Sequence, residues 1–161
     1  FWTKELGGGA LLDLGIYAIS FVHMILGKPL KIVAQSFFTK KGVDIKTSMI
    51  FKYENGAIAN LNCTFSDTPP NSVIISGDKG NIIVEHCFYT PTCVKVNLHD
   101  GKTKEFSNRY EGHGLREQAL ELEKCIEKGF LETSKIRHSE SIEIMETVDS
   151  VRKIIGLTFN N

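Results

Sequence analysis

The spacing of apolar positions changes period twice along the chain and divides it into three blocks. From about residue 8 to 27, Leu11, Leu14, Ala18, Ile16, Ile19 and Val22 wind around the whole circumference of a helix. Gly27, Lys28 and Pro29 close it. A short helix apolar on every side is expected to pack inside its protein, so its few polar residues carry information. Residues 30 to 107 switch to alternation. Ile45, Thr47, Met49, Phe51 and Tyr53 oppose Lys46, Ser48, Ile50 and Lys52, and after Asn55-Gly56 the pattern resumes with Ala57, Ala59, Leu61, Cys63 and Phe65. Asn-Gly between two such runs predicts a β-hairpin. Gly77 to Gly80 and Asp100-Gly101 predict two more, and with Leu30–Thr39 there are six or seven strands. The third block returns to helical spacing, with Leu115, Ala119, Leu122 and Ile126 ending at Gly129. A second stripe of Ile144, Val148, Val151 and Ile155 ends at Gly156, with Ser139 as its expected cap and Glu140 and Glu143 in the first turn.

Tight turns make the sheet mainly antiparallel. Helix, strand run, then two helices indicate an α+β fold: an open, mainly antiparallel sheet with helices packed on one face. No repeat or linker interrupts the chain, so it reads as one domain.

Composition narrows the function classes. At 161 residues and 18.0 kDa the chain can bury a core without metal or disulfide support. Nineteen basic and nineteen acidic residues cancel, which argues against nucleic acid as a partner. The longest apolar run, Ala10–Leu26, is broken by Asp13, Ser20 and His23, which argues against a membrane span. Cys63, Cys87, Cys93 and Cys125 lack metal or redox spacing and are expected as free thiols in a reducing, cytoplasmic setting, although a Cys87–Cys93 pairing across a loop stays open. The chain opens Phe-Trp-Thr-Lys with no initiator methionine, which suggests a piece of something longer.

The chemistry concentrates in Gly7-Gly8-Gly9-Ala10-Leu11-Leu12-Asp13-Leu14-Gly15-Ile16-Tyr17. Three glycines at a helix start allow a backbone or a flat ligand to come close to unpaired N–H groups. At 100° per residue Gly9, Asp13, Tyr17, Ser20 and Met24 form one stripe, so Asp13 and Tyr17 can address the same point. A carboxylate beside a phenol is a candidate proton-transfer pair. The plainer alternative is that Asp13 accepts buried hydrogen bonds and Tyr17 is a core aromatic. The glycines lack the preceding strand and following Lys-Ser/Thr of a phosphate loop.

Gly7 to Tyr17 resembles the Gly-Gly-Gly-x-Leu-x-Asp-x-Gly-x-His/Tyr signature of the Gfo/Idh/MocA oxidoreductases. Trp2 and Glu5-Leu6 resemble the approach to it, Gly77-Asp78-Lys79-Gly80-Asn81-Ile82 a family hairpin, Tyr110 to Leu115 the loop and helix start after the sheet, and Ser139 to Gly156 the closing helix. The similarity runs through essentially the whole chain. It implies the C-terminal substrate and oligomerisation domain of a two-domain enzyme built like glyceraldehyde-3-phosphate dehydrogenase, occupying residues 1–161. The N-terminal Rossmann domain that binds most of NAD or NADP would be absent from this chain, since no GxGxxG unit and no Glu-Lys-Pro segment occurs in it. Tyr at position 17, where many members carry His, resembles the dihydrodiol dehydrogenase branch.

The resemblance implies hydride transfer between a nicotinamide and a sugar, polyol or diol hydroxyl. Tyr17 would be the acid/base and Asp13 its orienting partner, with Gly7, Gly8 and Gly9 against the nicotinamide end. A free phenol ionises near pH 10, so the lysine charge of the other half is needed beside it. Tyr110, His113 and Phe88 are expected as pocket residues, against the alternative of ordinary loop positions. His23 is expected to be a packed histidine, and His86, His99 and His138 lack metal spacing, so no metal is expected. A homo-oligomer, a dimer or larger, is expected through the face carrying Lys46, Ser48, Ile50, Lys52, Ile58, Asn60, Asn62 and Thr64. Three function classes compete: half of an NAD(P)-dependent dehydrogenase, inactive alone; a non-catalytic relative kept for binding or regulation; and an unrelated α+β binding module.

Overall fold

The computed structural model describes residues 2–91, 93–108 and 114–159. It resolves into two compact units, Phe1–Thr68 with Ile136–Asn161, and Pro69–Lys135.

The first unit is a three-stranded antiparallel sheet in the order β1 (Lys31–Phe38), β2 (Asp44–Lys52), β3 (Ile58–Thr64). As the alternation predicts, Thr47, Met49, Phe51 and Tyr53 are buried while Lys46, Ser48, Ile50 and Lys52 stay exposed. The Asn55-Gly56 turn joins β2 to β3, with Gly56 at φ +85°. Helices cover the inner face only. A one-turn 3-10 helix (Lys4–Leu6) and a π-turn (Leu11–Gly15) lead into α1 (Ile16–Leu26). The closing helix, α3 (His138–Ile155), lays Ile144, Val148 and Val151 on the same core as Ala34, Phe51, Leu61, Leu11 and Ile19. Each large apolar side chain fully buried there contributes about 1.5–3 kcal/mol.

Three expectations about helices change. The first helix is not packed all round: Leu6, Leu14, Tyr17, Met24 and Ile25 remain substantially exposed, while Leu11, Gly15 and Ile19 are buried. Its helical run Lys4–Leu26 is long and apolar enough to cross a membrane by length and composition, so Asp13, Ser20 and His23 do not interrupt it as expected. The buried side of the run packs on the sheet and on α3. Ser139 lies inside α3 rather than capping it. The Arg137 N–H instead donates to the Glu140 carboxylate, 2.6 Å away, so a side chain from the first turn reaches back to the helix entry.

α1 and α3 are tied by polar contacts. His23 Nε2 lies 2.9 Å from Thr147 Oγ1, and the Thr147 hydroxyl donates to the Glu143 carbonyl, so the imidazole donates from Nε2. Lys28 and Glu146 form an exposed ion pair at 2.6 Å. Burial holds His23 below its ordinary 6.5, with Lys28 adding to the effect and Glu143 opposing it. The unfolded chain therefore takes up this proton more readily than the folded one. Stability from His23 is complete above pH 6.5 and falls as pH drops from there through the lower folded value. Urea midpoints measured at pH 7.5 and pH 5.5 should decrease toward acid, and His23→Gln should flatten that decrease.

The second unit is a four-stranded antiparallel meander, β4 (Val73–Gly77), β5 (Gly80–Val84), β6 (Cys93–Leu98) and β7 (Thr103–Ser107). With β1 to β3 this makes seven antiparallel strands among the described residues, within the six or seven that the turns predict. Gly80, at φ +155°, packs its Cα so closely on the Asn97 carbonyl that a side chain there would collide with backbone. The unit's helix, α2 (Leu115–Glu127), buries Cys125 but leaves Leu115, Leu122 and Ile126 exposed. Periodicity identifies an apolar face; it does not supply a cover for it. All four cysteines are free, Cys63 and Cys125 buried and Cys87 and Cys93 half-buried.

A candidate active site on a pinned helical turn

The glycine-rich segment is where the helix departs from regular geometry. Gly7 turns left-handed at φ +65° and is exposed; Gly8 and Gly9 are buried, Gly9 at φ +130°. Nothing lies within 4 Å of where a Cβ on Gly7 would stand, so its outer surface is open. Gly9 is the opposite case, since a Cβ there would overlap the Asp44 carboxylate. Leu11–Gly15 then forms a π-turn, a local widening often found at functional sites. The uniform step of 100° per residue therefore does not hold across Asp13, and the sequence-derived stripe is only approximate.

The π-turn is pinned at both ends. At its start, the Leu11 N–H donates to Asp44 Oδ2 at 2.8 Å, and the Thr47 hydroxyl donates to the same oxygen at 2.6 Å. Thr47 Oγ1 has given its proton to Asp44, so at 2.6 Å it accepts from the Ser36 hydroxyl. The relay runs Ser36 to Thr47 to Asp44, with the helix start arriving from the other side. At its end, Gly15 rests on Cys63 and Leu11: a Cβ would stand 3.1 Å from Cys63 Sγ and 3.1 Å from Leu11 Cδ1. Burial, reinforced by the Asp44 charge, pushes the Cys63 thiol up to about 12, so it serves as packing rather than as a nucleophile.

Between and beyond these pins the two candidate side chains lie away from the core. Asp13 is half-buried and its carboxylate makes no hydrogen bond to any described residue; Tyr17 is 48% exposed. Neither fits the plainer alternative of a buried acceptor and a core aromatic. Trp2, just before the glycines, stacks at a tilt on Phe65 with ring centroids 5.3 Å apart, which ties the approach segment to the end of β3.

Phe88 belongs to the second unit, half-buried with its ring edge-on to Tyr89 at 5.5 Å and its N–H donating to the Asn71 carbonyl. Tyr110 and His113 lie outside the described residues. No group of three or more potential metal ligands occurs among the described residues.

Sequence reasoning missed Asp44. By strand parity it belongs with Lys46 on the outer face. The register between β1 and β2 slips there, with Phe37 facing Lys46 and Phe38 facing Asp44, so Ile45 is an extra residue and the bulge turns Asp44 inward. The signal available was an aspartate, a poor strand former, directly after the apolar Val43 at the start of an alternating run.

A family model described as the GFO/IDH/MocA C-terminal domain matches residues 1–83, just over half of the chain. The chain belongs to the GFO/IDH/MocA family. Among curated relatives of this GFO/IDH/MocA domain are proteins named trans-1,2-dihydrobenzene-1,2-diol dehydrogenase. That of Xenopus tropicalis is 33% identical over 97% of this chain and 49% of its own length, and that of Mus musculus 35% over 98% and 49%. The domain thus spans about half the length of the curated relatives it matches. Among solved structures, a 3-ketoreductase from Actinomadura kijaniata, in complex with NADP and TDP-benzene, superposes with a TM-score of 0.79 at 20% identity, over 96% of this chain and 48% of that one. An aldose-aldose oxidoreductase from Caulobacter crescentus gives 0.78 at 18%, also over 96% and 48%. These structures share the fold, and the GFO/IDH/MocA domain has the same α+β arrangement of antiparallel strands and covering helices.

Proposed function

We propose that this domain is the substrate-facing half of an NAD(P)-dependent dehydrogenase that oxidises a diol, polyol or sugar hydroxyl. The observation that carries the reading is the pinned π-turn, which leaves Asp13 and Tyr17 outside the core on a segment that packing has made rigid. A held acid/base beside an orienting carboxylate is what proton transfer from an alcohol requires. The curated relatives are named as diol dehydrogenases, which supports the substrate class.

The open surface at Gly7 accepts a flat ring, so the glycine turn fits the nicotinamide end of NAD(P). When bound, NAD(P)+ supplies the hydride acceptor. Tyr17, ionised beside the lysine that the other half would contribute, takes the proton from the hydroxyl oxygen as the carbon bearing it gives up its hydride, and Asp13 orients the hydroxyl or that lysine. The dinucleotide itself would be held by that other half, so the 161-residue chain alone is expected to show no turnover. The full-length protein should reduce NAD+ or NADP+ when given trans-1,2-dihydrobenzene-1,2-diol or a simple sugar, followed by the absorbance of the reduced nicotinamide. No reduction with any of them would refute the reading in favour of a non-catalytic relative.

The outer face of the first unit's sheet supports assembly. Val33, Phe37, Ile50 and Ile58 are each about half exposed or more, among polar Ser48 and Asn62, whose side chains hydrogen-bond at 2.7 Å. An apolar face edged by satisfied polar groups suits pairing with a second copy, and light scattering should give at least a dimeric mass.

A further inference from the structure

We propose that Asp44 is a positioning residue for the candidate active site: a strand carboxylate that caps the signature helix from across the fold and so aims Asp13 and Tyr17. The inference rests on the dehydrogenase reading for its consequence, though not for its geometry. No side chain from the segment's own sequence caps the turn; the residue before it, Ala10, has nothing to offer. The first N–H groups of a helix need acceptors, and here the acceptor comes from a residue 33 positions away in the chain. Asp44 is fully buried, and the bulge at Ile45 turns it inward.

Its two oxygens do different things. Oδ2 gathers the Leu11 N–H and the Thr47 hydroxyl, with Ser36 behind Thr47, so the carboxylate cannot swing. Oδ1 has no hydrogen-bond partner and lies against Gly9, where the missing Cβ leaves it room. A negative charge at a helix start is favourable by the dipole, and the N–H bond to a charged acceptor is stronger than to a neutral one. Held there, Leu11 fixes the angular position at which the π-turn begins. Asp13 follows two residues later and Tyr17 six. A rotation of the start would carry both side chains with it, and proton transfer tolerates little misplacement.

The test uses the full-length protein with NADP+ and trans-1,2-dihydrobenzene-1,2-diol, together with hydrogen-exchange mass spectrometry of the segment spanning residues 8–17. Asp44→Ala should lower kcat at least tenfold with KM for NADP+ within twofold, and should accelerate exchange in that segment. Asp44→Asn keeps an acceptor for the Leu11 N–H and should recover most of the lost kcat. Thr47→Val removes two bonds of the relay, to Asp44 and from Ser36, keeps the side-chain shape and the Leu11 cap, and should give a smaller loss in the same direction; it carries the test if Asp44→Ala does not fold. Parental kcat in a folded Asp44→Ala or in Thr47→Val, or a loss confined to KM, overturns the proposal. If the parent oxidises neither the diol nor a simple sugar with NAD+ or NADP+, the dehydrogenase reading fails separately. Exchange then decides: protection of residues 8–17 that is the same in parent and variants refutes the role of Asp44.

Discussion

Tyr17→Phe in the full-length protein should cut kcat for alcohol oxidation by about 10²–10⁴-fold, the span that a positioned general acid or base contributes. The change removes one oxygen and leaves the ring. Tyr17 is half-exposed and lies outside the buried core, so stability should change by no more than about 0.5 kcal/mol, as for other surface substitutions. NAD(P) affinity should also hold, because the dinucleotide would be bound by the other half. The expected signature is thus a fall in kcat at constant thermal midpoint and constant cofactor binding, read by steady-state kinetics, thermal unfolding and nicotinamide titration on one preparation. Undiminished turnover would remove Tyr17 from the reaction.

The second large effect is structural. Gly9→Ala must place a methyl group where Asp44 Oδ1 sits, on a backbone at φ +130° that L residues rarely adopt. The strained backbone costs about 1–3 kcal/mol. Driving the carboxylate off Leu11 and Thr47 leaves buried groups without partners, at about 1–3 kcal/mol more. A loss of about 3–4 kcal/mol is expected in urea unfolding, a large fraction of the stability of an ordinary domain. Gly7→Ala is the control: its φ is also positive, in the milder left-handed region, and open space surrounds it, so only a smaller backbone cost applies. Equal losses for the two variants would show that contact with Asp44 is not what makes Gly9 necessary.

Strand positions were legible because alternation and turn residues are local signals. Thr47, Met49 and Phe51 are inside and Ser48, Ile50 and Lys52 outside, as their parity requires, and Gly56 turns where Asn55-Gly56 predicts. The glycine-rich signature was legible for a similar reason, since three glycines before Asp13 and Tyr17 form a contiguous word. What stayed hidden depends on residues distant in sequence. A bulge shifts parity by one, and its only local mark is an aspartate after Val43, so parity alone puts Asp44 on the outer face. The π-turn is stabilised by contacts with β2 and β3, Asp44 and Cys63 among them, and not by its own composition. The exposed stripe of α2 and the exposed side of α1 belong to the same class: apolar periodicity describes a face and is silent about its neighbours.

The cap across the fold also sets an order of assembly. Leu11 precedes Asp44 by 33 residues, so the first helix leaves the ribosome without its acceptor. The β1–β2 pairing has to close, with the slip at Ile45 already in register, before that N–H has a partner. The turn that holds Asp13 and Tyr17 is therefore synthesised before the strand that caps it, and becomes native only once that strand is in place. Substitutions at Asp44 should speed unfolding while leaving the folding rate nearly untouched, because their contact lies on the late side of the barrier.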